Sequence, residues 1–203
     1  MIEINGLYTG YDKSHPLLKN FNYRFDHKIY GILGESGCGK TTFLRTIAGL
    51  MKPLDGEIVV DGERISKASK NNIYMMHQNY TSFDWLKCLD NILIAKRVKS
   101  RVTKDDVEKA KNILDLVGLA GNENKYPKQL SGGMRQRLAM ARTLFMNPDI
   151  ILMDEPLSAL DADTRAAMQD LIMKQHKNLN NTIIMVTHSN VEAQKMCDVI
   201  INF

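Results

Sequence analysis

Residues 29–48 read IYGILGESGCGKTTFLRTIA, and this stretch decides the fold. It begins with five residues typical of a buried strand and ends with apolar residues at helical spacing, from Phe43 to Ala48. Between them lies a six-residue loop with three glycines, followed by Lys40. Such glycines let consecutive backbone N–H groups turn inward, and the N-terminus of the helix adds the positive end of its dipole. The stretch therefore predicts a phosphate-binding loop (P-loop) between a strand and a helix.

The loop and the first helical turn after it supply the predicted phosphate ligands. We expect Lys40 to reach the β- and γ-phosphates and Thr41 to ligate Mg²⁺. Cys38 is interpreted as a small loop residue without a redox role. The predicted nucleotide-binding residues of this segment are Gly34, Glu35, Ser36, Gly37, Cys38, Gly39, Lys40, Thr41 and Thr42.

Apolar runs elsewhere in the chain predict two kinds of sheet. Continuous runs, typical of buried parallel strands, lie at 73–76, 150–153, 183–186 and 199–201. Before the loop, Phe21, Tyr23 and Phe25 alternate with polar residues, which predicts an antiparallel layer that a strand at 57–62 extends. The predicted fold class is α/β: a P-loop core with a parallel sheet, a peripheral antiparallel β layer and a helical subdomain.

Helix signals between these strands complete the predicted organisation. Thr103 and Asp106 are spaced as a capping box, and Gly118 is the predicted stop of the helix that they begin. Ser131 is the predicted N-cap of a second helix, which ends before Asn147. We predict one domain, with residues 1–84 and 146–203 in the core and a helical subdomain at 85–145.

Two acidic residues follow the apolar run at 150–153. A carboxylate at this strand end can hold the hydration shell of Mg²⁺ beside the P-loop, and we give this role to Asp154. A second carboxylate one residue later can polarise an attacking water, and we give this role to Glu155. Ser131, Gly132 and Gly133 open a helix whose free N–H groups can form a second anion site, with a plain helix cap as the alternative interpretation of these three residues alone.

Composition excludes several classes of protein. The formal net charge is only +4, so no nucleic-acid partner is expected. Three widely spaced cysteines provide neither a disulfide framework nor a Cys-x-x-Cys zinc site. The N-terminus lacks the pattern of a signal peptide, and no apolar run approaches 18 residues, so we expect a cytoplasmic protein whose membrane span, if any, a partner supplies.

In combination, the motifs resemble the ATP-binding-cassette (ABC) ATPases. The matching segments, in the order of that family, are Gly34–Thr42, Gln78, Leu130–Gln136, Asp154-Glu155, Ser158–Asp161 and His188. The resemblance implies ATP and Mg²⁺ as cofactors. It also implies a head-to-tail homodimer that buries two ATP molecules, each between the P-loop of one subunit and Ser131–Gly133 of the other.

The resemblance implies roles for the remaining motif residues. Tyr11 matches the aromatic residue that stacks on adenine, with simple packing in the β layer, near Tyr8, as the alternative. Gln78 matches the residue that senses Mg²⁺ and the γ-phosphate, and His188 matches the switch that contacts the γ-phosphate. Asp161 matches the loop that couples the two sites. The expected catalytic residues are Glu155, His188, Gln78 and Lys40, and the expected metal ligands are Thr41, Gln78 and Asp154.

The spacing of the motifs favours a transporter. Gln78 and Ser131 are 53 positions apart, a spacing that accommodates a small helical lobe and excludes the long coiled-coil insertion of chromosome-maintenance ATPases. The segment 80–92 is similar to that of importer ATPases for nitrate, sulfonate and taurine, although Asp84 replaces their usual Pro before Trp85. A tryptophan packed against the lobe is the alternative interpretation of this loop.

We therefore expect an ATPase subunit that powers an importer of small solutes at the cytoplasmic face of the cell membrane. The resemblance implies transmembrane permease subunits as partners and, indirectly, a solute-binding protein. The alternative is a cassette ATPase without transport that acts on ribosomes or DNA. A P-loop small-molecule kinase does not explain the Ser131–Gly133 segment.

Overall fold

The computed structural model describes residues 1–65, 72–77 and 82–203. Within these ranges the chain divides into two compact units. The first unit comprises residues 1–75, 149–155 and 176–203, and the second comprises residues 76–148 and 156–175.

A five-stranded sheet forms the centre of the first unit. Its strands, in spatial order, are β6 (Ile73–Met76), β7 (Ile150–Asp154), β8 (Thr182–Val186), β3 (Ile29–Leu33) and β9 (Val199–Asn202). The pairs β7–β8, β8–β3 and β3–β9 are parallel. Every residue of β3, β7 and β8 is buried, which explains why these strands are continuous apolar runs in the sequence. The predicted strand positions are confirmed, but the expected burial is wrong for two of the strands, since β6 is mostly half-buried and β9 alternates between half-buried and exposed residues.

A second, antiparallel sheet belongs to the same unit. Its strands, in spatial order, are β2 (Leu18–Phe25), β1 (Ile2–Thr9), β4 (Asp55–Val60) and β5 (Glu63–Arg64). Burial alternates along β2: Phe21, Tyr23 and Phe25 are the less exposed residues, as the sequence pattern predicted. Register shifts interrupt the pairing of β1 with both neighbours, so the antiparallel layer bends along that strand.

The helix after the P-loop, α1 (Lys40–Ile47), is anchored by one aromatic residue. Phe43 is fully buried, and its ring makes edge contacts with Phe21 at 5.3 Å and with Phe203 at 5.1 Å between centroids. These contacts hold the first turn of α1, and therefore the loop before it, at the carboxyl end of β3.

Three helices form the body of the second unit: α2 (Cys88–Lys99), α3 (Lys104–Leu116) and α4 (Gly132–Phe145), each packed on the other two. The capping box that begins α3 is confirmed, because the Thr103 and Asp106 side chains each accept a hydrogen bond from the other's backbone N–H. Ser131 caps α4 by accepting from Met134 N at 3.2 Å.

Two further helices follow β7. Helix α5 (Ala162–Leu179) begins in the second unit and ends in the first. Helix α6 (Asn190–Met196) belongs to the first unit and connects β8 to β9 along the chain. In the described part of the chain, no helix combines the length and the apolar character that a bilayer crossing requires.

Candidate functional site

Three neighbouring strands of the parallel sheet bring the predicted site residues to one edge. The register pairs Asp154 of β7 with Val186 of β8, and Val186 in turn with Ile32 of β3. The P-loop, Glu155 and His188 follow directly after these three strands. Because carboxyl ends of parallel strands meet at the same edge, this is the edge where such sheets bind ligands.

The P-loop folds around its own lysine. The Lys40 side chain is buried, and its Nζ donates hydrogen bonds to the carbonyl oxygens of Gly34 and Glu35, both at 2.7 Å. Gly37 and Gly39 have φ angles of 84° and 104°, a region that side chains with a Cβ rarely adopt. The loop therefore requires glycine at both positions, and its curvature points carbonyl oxygens toward the ammonium group.

Thr41 and Asp154 form a pair of oxygen ligands suited to Mg²⁺. The Thr41 hydroxyl lies 2.9 Å and 3.1 Å from the two carboxylate oxygens of Asp154, whose side chain is buried. Hydroxyl and carboxylate oxygens are the hard ligands that Mg²⁺ takes, usually one or two from protein and the rest from phosphate and water. Within the described ranges no cluster of three or more His, Cys, Asp or Glu residues could hold a metal ion. The residues present fit the expected ion.

Glu155 is held in an unusual backbone conformation. Its φ angle is 50°, in the left-handed region that costs a non-glycine residue about 1–2 kcal/mol, and its N–H donates to Val186 O at 3.0 Å. Strained backbone of this kind is concentrated at functional sites. In this conformation Glu155 Oε1 lies 2.7 Å from His188 Nε2. The structure thus joins the predicted base and the predicted switch histidine, which are 33 residues apart in the sequence.

Two buried polar residues beside His188 were not predicted from the sequence. Thr187 and Glu192 are 3% and 7% exposed, and the Thr187 hydroxyl donates a hydrogen bond to a carboxylate oxygen of Glu192. A threonine directly before the histidine, with an acid in the first turn of the next helix, is the only local signal that could have found them.

In the second unit, helix α4, which Ser131 caps, contacts the loop that carries Asp161, another predicted site residue. Gln136 of α4 is buried, and its Oε1 accepts a hydrogen bond from Ala159 N at 3.1 Å. A Cβ added to Gly133 would lie 3.2 Å from Ala159 O, so the loop passes close to the start of α4. Asp161 then accepts from Thr164 N at 3.0 Å, and this bond lowers the pKa of the Asp161 carboxyl.

One of the expected residues, Tyr11, stands apart from these clusters, and another is not described. Tyr11 lies beyond β1 with 74% of its surface exposed, whereas Tyr8 is partly buried in the β layer. Gln78 lies outside the described residues. The aromatic stacking of Tyr11 and the metal role of Gln78 therefore stay predictions.

The loop used for the importer resemblance is described from residue 82 onward. Trp85 is 74% exposed, and its ring lies 5.4 Å from that of Phe83. The buried side chain of Asn91 holds this loop by hydrogen bonds to the backbone of Phe83 and to Leu86 O. The tryptophan is therefore presented on a restrained loop.

A glycine-rich loop at the end of one parallel strand, with acidic residues at the end of a nearby strand, defines a P-loop ATPase. A family model described as ABC transporter matches residues 18–158, which is more than half of the chain. The chain belongs to the ABC transporter family, and the resemblance drawn from its motifs is confirmed.

Known proteins similar to this chain agree with that assignment. The uncharacterized ABC transporter ATP-binding protein YtlC of Bacillus subtilis is 42% identical over 84% of this chain and 65% of its own length. The aliphatic sulfonates import ATP-binding protein SsuB of Bacillus cereus is 38% identical over 94% of this chain and 75% of its own length. The chain thus spans about two thirds to three quarters of the length of these relatives.

A solved structure resembles the whole chain. It is the dimeric ATP-binding cassette MJ0796 in a post-hydrolysis state bound to ADP and Pi, with a TM-score of 0.91 and 29% identity over 100% of this chain and 94% of that one. The predicted α/β fold of the ABC ATPase type is confirmed.

Proposed function

We propose that this chain is the ATP-binding and ATP-hydrolysing subunit of a membrane transporter that imports small solutes. The observation that carries the proposal is the 2.7 Å contact between His188 Nε2 and Glu155 Oε1. It lies at the sheet edge that also bears the P-loop and the Thr41–Asp154 pair. A carboxylate that a histidine holds beside a phosphate-binding loop is placed to activate water for attack on a phosphate.

In the proposed mechanism, Glu155 accepts the proton of the attacking water. His188 holds the Glu155 carboxylate in position and contacts the γ-phosphate, whose developing charge the Lys40 ammonium also stabilises. To do so, Lys40 exchanges its bonds to the Gly34 and Glu35 carbonyls for phosphate oxygens. Thr41, Asp154 and Gln78 would hold Mg²⁺, which would supply positive charge to offset the charge of the phosphates.

A second copy of the chain completes each site in this proposal. Ser131, Gly132 and Gly133 begin the 14-residue helix α4, whose first N–H groups form an anion site at the positive end of the helix dipole. One P-loop binds one nucleotide, so we assign the second anion site to the nucleotide of the partner subunit in a head-to-tail homodimer. Tyr11 stacks on adenine and Asp161 couples the two sites. The similarity to a dimeric cassette supports this arrangement.

The transport role rests on the family and on the importer relative. We propose that the chain lies on the cytoplasmic face of the cell membrane, bound to transmembrane permease subunits that receive solute from a solute-binding protein. Membership of the ABC transporter family and the similarity to an aliphatic sulfonates importer support this role. Aliphatic sulfonates are accordingly the first solutes to test.

The deciding experiment is purification of the tagged chain from its native membranes in mild detergent, followed by identification of the proteins that accompany it. The untagged strain, taken through the same steps, is the control. We expect a protein with several membrane spans, and stimulation of the ATPase activity of the complex by a solute and its binding protein. Recovery of ribosomes, DNA or only soluble proteins would contradict the transport role while leaving the ATPase role intact.

A further inference from the structure

Hydrogen bonds restrain the segment that carries His188 on both sides of the histidine. Before it, Thr187 N extends the β8–β3 ladder by donating to Ile32 O at 3.3 Å. After it, Ser189 caps α6, because its Oγ accepts a hydrogen bond from Glu192 N at 3.2 Å. The His188 side chain itself is 43% exposed, and the backbone restraints on either side fix the position from which its ring extends.

One buried hydroxyl links these two sides. The Thr187 hydroxyl donates its hydrogen to the Glu192 carboxylate and accepts a hydrogen bond from Ser189 N at 3.1 Å. A hydroxyl has one hydrogen, so donation to Glu192 leaves a lone pair for the N–H of Ser189. Glu192 therefore sets the orientation of the hydroxyl that fixes the residue after His188.

From this arrangement we propose that Thr187 and Glu192 are positioning residues that hold His188 against Glu155. The inference rests on the proposed function. It gives Thr187 and Glu192 a supporting role in the hydrolytic site without contact with the nucleotide. Small errors in placement matter for such a site, because a shift of about 1 Å can lower a rate by roughly 100-fold. Loss of the Thr187 hydroxyl is therefore expected to act through the position of His188.

The test compares two threonines at opposite ends of β8: Thr182 is the first residue of the strand, and Thr187 follows its last residue. Thr187→Val removes the hydroxyl beside His188 and keeps the shape of the side chain. Thr182→Val is the matched control: Thr182 is also buried, and its hydroxyl donates to Asp26 O at 2.7 Å at the opposite end of the strand. Each substitution removes one buried hydroxyl, which makes two hydrogen bonds at Thr187 and one at Thr182, but only the Thr187 hydroxyl lies next to the histidine.

Two measurements separate positioning from general stability. In steady-state hydrolysis of MgATP, Thr187→Val is expected to lower kcat by about 10- to 100-fold with little change in KM, whereas Thr182→Val keeps the parent kcat. In ¹H–¹³C spectra of the nucleotide-free protein, with His188 assigned through a His188→Gln variant, Thr187→Val is expected to shift the His188 ring signals as Glu155→Gln does. Thr187→Ser, which keeps the hydroxyl, restores most of the lost kcat.

The proposal is overturned if Thr187→Val leaves kcat and the ring signals of His188 at their parent values, or if Thr182→Val changes them as much. Should Thr187→Val fail to fold, Glu192→Met and Glu192→Gln replace it. Both remove the charge, but only glutamine keeps an oxygen that accepts the Thr187 hydrogen bond. We expect loss of kcat in the methionine variant and its partial retention in the glutamine variant, and equal losses would overturn the proposal.

These measurements also distinguish this inference from the proposed function. A parent protein without ATPase activity would contradict the proposed function. The ring signals of His188 would still decide the inference, because they report contact with Glu155 in the absence of nucleotide.

Discussion

Replacement of Glu155 by glutamine is the sharpest test of the hydrolytic site. The substitution removes one negative charge and keeps the size of the side chain. Glutamine at 155 occupies the same left-handed backbone conformation, at φ 50°, so the local strain does not change. The contact with His188 is partly exposed, at 18% for Glu155 and 43% for His188, and its loss is expected to cost only about 0–1 kcal/mol of stability.

The expected effect on catalysis is much larger. A positioned general base contributes roughly 10²- to 10⁴-fold to a rate. This corresponds to about 3–5 kcal/mol of transition-state free energy, since each tenfold change is worth about 1.4 kcal/mol. The Glu155→Gln variant should therefore bind MgATP like the parent, lose at least about 99% of its turnover and accumulate as an ATP-bound dimer.

Three measurements check this expectation: phosphate release at saturating MgATP, equilibrium binding of ATP, and the molar mass of the ATP-bound protein in solution. Glu63→Gln is the matched control, because Glu63 is an exposed residue of β5 and its replacement changes the net charge by the same amount. A Glu155→Gln variant that hydrolyses ATP at the parent rate would refute the assignment of the base. A variant that loses ATP binding as well would refute the claim that Glu155 acts in the chemical step alone.

Three further predictions concern the folded chain. Gly56→Ala is expected to destabilise the protein by about 2–5 kcal/mol in chemical denaturation, because the backbone at this position is left-handed and a Cβ would overlap a backbone carbonyl of β1. The control is Gly62→Ala, at a left-handed position in open space, which should cost only about 1–2 kcal/mol; equal losses in the two variants would contradict the role of the overlap. Thr103→Ala should lower the free energy of unfolding by about 1 kcal/mol through loss of the α3 cap, and no measurable change would contradict the contribution of the capping box. Burial raises the pKa of Cys197 to about 12, so at pH 8 only about one thiol in 10⁴ is ionised. The rate of alkylation of Cys197 in the folded chain, measured by mass spectrometry, should therefore be low and should rise about tenfold per pH unit up to about pH 11, whereas rapid alkylation at pH 8 would contradict that pKa.

Local signals predicted much of the fold. The strand, glycine loop and helix from residue 29 to 48 are contiguous. The glycines, the spacing of the apolar residues and the start of the helix can therefore all be recognised within one short stretch. The caps at Thr103 and Ser131 were predictable for the same reason, because each involves residues three positions apart. Continuous apolar runs identified the buried strands, since a strand covered on both faces has no polar side to alternate with.

Other features of the site have no such local signal. The left-handed conformation of Glu155 depends on a hydrogen bond to Val186, which belongs to a neighbouring strand. The hydrogen bond that Ala159 N donates to Gln136 Oε1 joins residues 23 positions apart, and the sequence motif that contains Gln136 predicted no role for it. Gln78 illustrates another limit, since its role was inferred from the resemblance and the residue lies outside the described ranges.

The sequence by itself determined that this protein has a P-loop between a strand and a helix, an α/β fold and the motif order of an ABC ATPase. Only the tertiary structure decided that Thr41 meets Asp154 across 113 residues of chain, and that Glu155 meets His188 with Thr187 and Glu192 beside it. The physical reason is the order of the strands. Local propensity specifies that β3, β7 and β8 form, but their pairing in the order β7, β8, β3 depends on packing of the whole sheet, and that order brings their carboxyl ends together.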